Sequence, residues 1–119
     1  MSSPSDELLQ KKCIPCEGGV EACSLEQARS QRSAVPNWEL RPDGKWIDRS
    51  VQFRNFVKMI EAVNRIAELA EAEGHHPDLH LTGYRNLKIE LTTHAIGGLS
   101  ENDFILAAKI DAILAQSGL

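Results

Sequence analysis

The segment "NFVKMIEAVNRIAELAEAEG", residues 55–74, limits the possible folds more than any other stretch. Phe56, Met59, Ile60, Val63, Ile66, Ala67 and Ala70 recur at the 3.6-residue period and form one apolar stripe of a helix. Asn55 or a neighbour caps its start, and Gly74 suits the left-handed position just past its end. Glu71 then stands in the last turn, at the edge of the buried stripe and close to whatever follows Gly74.

A one-sided helix needs a second layer, and the flanking sequence supplies two hairpins. Upstream, in "NWELRPDGKWIDRSVQF", Trp38 and Leu40 alternate with polar residues and Pro42-Asp43-Gly44 provides turn chemistry. Ile47, Val51 and Phe53 mark one face of the return strand, a pattern that Arg49 interrupts. Downstream, Leu79 and Leu81 face one way while His80, Thr82 and Tyr84 face the other. After a turn at Arg85-Asn86, Leu87, Ile89 and Leu91 point inward and Lys88, Glu90 and Thr92 outward. Ser24 with Gln27 makes a capping box for a short helix over Leu25–Ser33, closed off by Pro36. Ser100 and Asp103 start a last helix that runs to about Gln116. That helix is apolar around much of its circumference, so it is expected to cover the sheet and also to meet another subunit. The order α-β-β-α-β-β-α predicts an α+β two-layer sandwich, a four-stranded antiparallel sheet with three helices on one face. Residues 1–22, broken by Pro4, Pro15, Gly18 and Gly19, read as a partly flexible arm, and 23–119 as a single domain.

Charge and composition narrow the function classes. A net charge of −4 speaks against direct nucleic-acid binding, and 5% aromatic residues against a stacking platform for single strands. No stretch has the length of a membrane span and no apolar signal core opens the chain, so a reducing, cytoplasmic location is expected. Cys13 and Cys16 have zinc-knuckle spacing, but no second pair completes a site, and with Cys23 they read as reduced thiols.

The chemistry concentrates in "EAEGHHPDLHL". Gly74 ends the helix and Pro77 biases His76 toward extended backbone, so His75 and His76 leave a helix–strand junction in different directions. The second hairpin returns Thr93 and His94 beside this pair, near Asp103 at the start of the last helix and Glu71 at the end of the middle one. Imidazoles so grouped suit proton transfer near neutral pH, with carboxylates fixing their tautomers. Alternatively, the two histidines cap helix carbonyls, Asp103 is a helix cap and Glu71 a solvated residue. His80 belongs on an exposed or subunit-facing strand surface, and no histidine spacing matches an established metal site.

Glu71-x3-His75-His76-Pro77, followed by Tyr84, His94 and Asp103, together with "THAIGGLSENDFILAAKID", resembles the pterin-4a-carbinolamine dehydratases over roughly Ser24 to Ala115. The resemblance implies the same α+β fold and a hydro-lyase that removes water from 4a-hydroxytetrahydrobiopterin to give the quinonoid dihydropterin. Such an enzyme recycles the cofactor of an aromatic amino-acid hydroxylase. It implies His75 and His94 as the main acid–base pair, and His76 as the residue that holds and orients the pterin. Glu71 and Asp103 would position the histidines, with Pro77 at the site and Thr92, Thr93 and Ala95 lining it. No metal or organic cofactor is implied, and the assembly would be a homodimer or homotetramer. The departures are Leu79, where many relatives carry Trp, and Ala95, where animal relatives carry an acid. Some relatives serve as a dimerisation cofactor or an assembly factor, which leaves a non-catalytic scaffold as the rival reading.

Overall fold

The computed structural model describes residues 4–13 and 22–117. Helix α1 (Pro4–Gln10) and helix α2 (Leu25–Arg32) precede strands β1 (Glu39–Leu40) and β2 (Ile47–Gln52). Helix α3 (Phe56–Glu73) leads to strands β3 (Asp78–Thr82) and β4 (Asn86–Leu91), and helix α4 (Glu101–Ala115) closes the order. The sheet is four-stranded and antiparallel, ordered β1-β2-β4-β3. From α2 onward the chain is the α+β sandwich that its pattern predicts.

Local chemistry explains the boundaries. Ser24 Oγ accepts from the Gln27 N–H at 3.1 Å, and Gln27 Oε1 accepts from the Ser24 N–H at 2.8 Å. Asn55 Oδ1 caps α3 by accepting from the Lys58 N–H at 2.9 Å, and Gly74 ends it at φ 66°. The Pro42–Gly44 turn is where it was expected, with Gly44 at φ 71°. The second turn is not. Thr82 pairs with Asn86, so the loop is 83–85, with Gly83 and Tyr84 both left-handed. Gly83 enters that region without a Cβ penalty, and Asn86 is left to pair across the sheet.

One face of the sheet is buried: Ile47, Leu87, Ile89 and Leu91 are almost fully enclosed with Trp38, Met59, Ile66, Phe104 and Leu106. The stripe of α3 that enters this core is Met59, Ala62, Ile66 and Ala70, while Phe56 and Ala67 stay exposed. Leu79 and Leu81 share one face, opposite Ile89 and Leu87, as their alternation predicts, but Leu81 is 40% exposed because β3 is an edge strand. Thr92, expected outward, is buried, and its hydroxyl donates to the Lys45 carbonyl at 2.6 Å.

Helix α4 buries Phe104 through Ala108, Ile110 and Leu114 within its own chain, against α1, α2, α3 and the sheet. The N-terminal arm contributes to this: Leu8 of α1 is buried in the same core.

Arg49 breaks the β2 pattern for a reason. It shares the inward face with Ile47 and Val51 and pairs with Asp111 of α4, which also accepts from Trp38 Nε1 at 2.8 Å. Burial pushes the Asp111 carboxyl above its ordinary value, although Trp38 and Arg49 pull it back. Asp111→Asn keeps an acceptor for the indole but loses the ion pair. It is expected to cost about 1–2 kcal/mol, read as a lower urea midpoint with an unchanged slope.

Candidate active site

Four elements deliver the site. His75 leaves the αL turn after α3, and its ring is buried with Nε2 2.6 Å from Asp103 Oδ1. Asp103 sits in the first turn of α4 with no exposed surface. Its other oxygen accepts from Thr93 Oγ1 at 2.7 Å and from the Ser100 N–H at 2.9 Å. Thr93 Oγ1 in turn lies 2.8 Å from Ser100 Oγ. Asp103 is thus both the helix cap that its position suggests and the partner of an imidazole. A carboxylate only accepts, so His75 presents a hydrogen on Nε2 to Asp103, and Nδ1 is the ring nitrogen not committed to that bond.

His94 follows Thr93 directly, in a one-turn 3₁₀ helix (His94–Ile96) closed by Gly97 at φ 66°. The Asp103 carboxylate therefore joins the two imidazole-bearing segments. The ring of His94 is exposed and meets Trp46 edge to face, with centroids 5.7 Å apart. His76 and Glu71 form a separate, exposed pair, Nε2 to Oε2 at 2.5 Å. Both border a small hollow of about 190 Å³ whose other walls are Ile66, Ala67, Ala70, Pro77 and Leu79. Glu71 is not at the edge of the buried stripe, as its spacing suggested, but in solvent. Ala95 is exposed beside His94, and Thr92 is tied to the β1–β2 turn rather than open to the site.

His80 lies on the open sheet face and bonds Glu90. Reading the sequence alone missed Trp46 and Ser100. A stronger signal existed for Ser100, a buried hydroxyl at a helix start, than for Trp46, whose partner is set by tertiary register.

The cysteines stand apart from these histidines. The Cys13 N–H donates to Glu73 Oε1 at 2.8 Å, its Sγ contacts the Asn102 carbonyl at 3.6 Å, and Lys109 Nζ holds the other Glu73 oxygen at 3.1 Å. Burial and the neighbouring Glu73 push the Cys13 thiol up to about 12, so it stays protonated and a poor nucleophile. Burial also raises Cys23. Among the described residues no three His, Cys, Asp or Glu side chains form a metal-holding group, and Cys16 lies outside them.

The family model described as pterin 4 alpha carbinolamine dehydratase matches residues 21–113. The chain belongs to the pterin-4a-carbinolamine dehydratase family. A Halorhodospira halophila protein that carries the family name provisionally is 49% identical over 106 residues, 89% of this chain and 96% of its own length. Pterin-4-alpha-carbinolamine dehydratase 2, mitochondrial, of Arabidopsis thaliana is 46% identical over 113 residues, 92% of this chain and 60% of the plant protein. Among solved structures, the transcriptional coactivator/pterin dehydratase of Brucella melitensis superposes with a TM-score of 0.73 at 26% identity. The match covers 78% of this chain and 98% of that one. A pterin dehydratase-like protein identified as a RuBisCO assembly factor in the alpha-carboxysome shares the fold at 22% identity and a TM-score of 0.56. That match covers 65% of this chain and 88% of the other. The matched residues span Glu71 to Asp103, the stretch on which the candidate site is built. No helix among the described residues is long and apolar enough to cross a membrane.

Proposed function

We propose that the protein is a hydro-lyase that removes water from a 4a-hydroxytetrahydropterin, 4a-hydroxytetrahydrobiopterin being the substrate implied by the family. The C4a hydroxyl leaves as water once protonated, the N5 lone pair forms the N5=C4a bond, and N5 gives up its proton to a base. One proton is supplied and one removed, so two imidazoles suffice. His75 and His94 fill these roles. His76, at the rim of the apolar hollow and braced by Glu71, orients the pterin, and Pro77 and Leu79 wall it. Asp103 fixes the His75 tautomer and stabilises its protonated form.

The observation that carries this reading is the buried His75–Asp103 bond, shared through Thr93 with the segment that bears His94. A helix cap alone explains Asp103 but not an enclosed imidazole aimed at it. This reading joins the cytoplasmic location expected from the sequence to what the family resemblance implies, a homodimer or homotetramer that serves tetrahydropterin recycling beside an aromatic amino-acid hydroxylase.

Stopped-flow mixing with chemically generated 4a-hydroxytetrahydropterin tests the assignment. Micromolar protein is expected to speed dehydration by about 10²-fold or more over buffer. An unaccelerated decay would sink the enzyme and favour the scaffold reading, for which the similar coactivator and carboxysome structures provide precedent.

A further inference from the structure

Among the described residues, the His94 ring stacks against one aromatic side chain, the indole of Trp46, at 79° between planes. Three features converge on that indole. Thr92 Oγ1 donates to the Lys45 carbonyl at 2.6 Å, which ties the residue before Trp46 to the residue two before His94. The Arg41 guanidinium lies 4.9 Å over the Trp46 ring. Arg41 is itself fixed, its Nε 3.2 Å from Asp48 Oδ2 and its other end paired with Glu90, which also takes the His80 bond. The open sheet face thus carries a connected chain from His80 through Glu90 and Arg41 to Trp46 and His94.

We propose that Trp46, held by Arg41, is a positioning residue that sets the orientation of the His94 imidazole for proton transfer. His94 is exposed in a single 3₁₀ turn, where an unrestrained ring would sample several rotamers. The edge-to-face contact selects one of them, and aromatic pairs at this separation are attractive in that geometry. The cation over the indole fixes the indole in turn. Trp46 does this without a hydrogen bond to His94, so both imidazole nitrogens stay available for the reaction. The inference rests on the reading of His94 as an acid–base group, and the two can fail separately.

The test combines kinetics with NMR on the full chain. Nuclear Overhauser effects (NOEs) between Trp46 indole and His94 imidazole protons are expected in the native protein, weakened in Arg41→Gln and unchanged in Ser50→Ala. Trp46→Ala is expected to lower kcat by about tenfold to a hundredfold with KM moved much less, since a small misplacement of a reacting group has that effect. Trp46→Phe, which keeps a ring at the position, restores most of the rate and guards against a folding defect. Arg41→Gln is expected to cost about two- to fivefold. Added to His94→Ala, Trp46→Ala brings no further loss. A folded Trp46→Ala variant with native kcat overturns the proposal, as does a loss of equal size in the His94→Ala background. Full turnover by His94→Ala, with the NOEs present in the native protein, sinks the acid–base assignment, and with it any catalytic use of Trp46. Absent NOEs beside an inactive His94→Ala variant sink the Trp46 role alone.

Discussion

A His75→Ala, His94→Ala double variant is expected to dehydrate 4a-hydroxytetrahydropterin at the rate of buffer, about 10²-fold or more below the native chain at the same micromolar concentration. Each positioned acid or base typically supplies ~10² to 10⁴ in rate, and the reaction needs one of each. Either single variant removes one proton path and leaves the other, so each loses less than the pair. The two losses need not multiply, because the groups serve one transition state. The double variant should still fold. His94 is exposed, and the loss of the His75 ring leaves Asp103 with its Thr93 and Ser100 donors. A stability cost of about 1–3 kcal/mol is expected, seen as a lower but still cooperative thermal transition. Native turnover by the folded double variant would refute the acid–base roles outright.

The fold was legible where a local rule decides a local structure. Ser24 with Gln27, Asn55 and Gly74 act through hydrogen bonds and dihedrals that involve at most a few neighbouring residues, and each stands where its chemistry places it. The alternation of Leu87, Ile89 and Leu91 survives for the same reason: β4 is a central strand with one covered face. Neighbours in space decide the rest. Arg85-Asn86 looked like a turn, yet cross-strand register gave Asn86 to β4 and moved the loop to 83–85. Arg49 looked like a fault in a strand until Asp111, sixty-two residues later, supplied its partner. Helix α4 is apolar around much of its circumference, and α1, which reads from sequence as part of a loose arm, is one of the elements of the same chain that it packs against.

The site divides along the same line. That His75 and Asp103 approach each other follows from Gly74, Pro77 and the hairpin order, all visible in sequence. That Glu71 and His76 pair in solvent does not follow, since the rotation of α3 about its axis is fixed by which of two adjacent apolar rows packs deeper. Periodicity alone places Phe56, Ile60 and Ala67 in the stripe with Met59 and Ile66, but Ala62 takes their place in the core and Glu71 turns outward. Trp46 was invisible as a site residue because its contact with His94 depends on the Thr92–Lys45 bond across two strands.

Asp103→Leu is expected to be the most damaging single change in the chain, at about 4–5 kcal/mol. Leucine roughly matches the buried volume but leaves three buried donors, the His75 ring N–H, the Thr93 hydroxyl and the Ser100 amide, without the acceptor they share. Each orphaned buried donor costs about 1–3 kcal/mol, and loss of the helix cap is part of the same sum rather than an addition to it. Thr93 can turn its hydroxyl toward another acceptor, so the three costs do not add in full. Asp103→Asn separates stability from chemistry. Its amide oxygen can still accept from Thr93 and Ser100, but its NH₂ then faces His75 and forces Nε2 to accept, which moves the ring hydrogen to Nδ1. Stability should fall by only about 1–2 kcal/mol, while kcat drops by about 10²-fold or more because the wrong nitrogen presents the proton. Urea melts and stopped-flow rates on both variants check this. If Asp103→Asn loses stability and rate in the same proportion as Asp103→Leu, Asp103 is a cap with an incidental neighbour, and the tautomer role is lost.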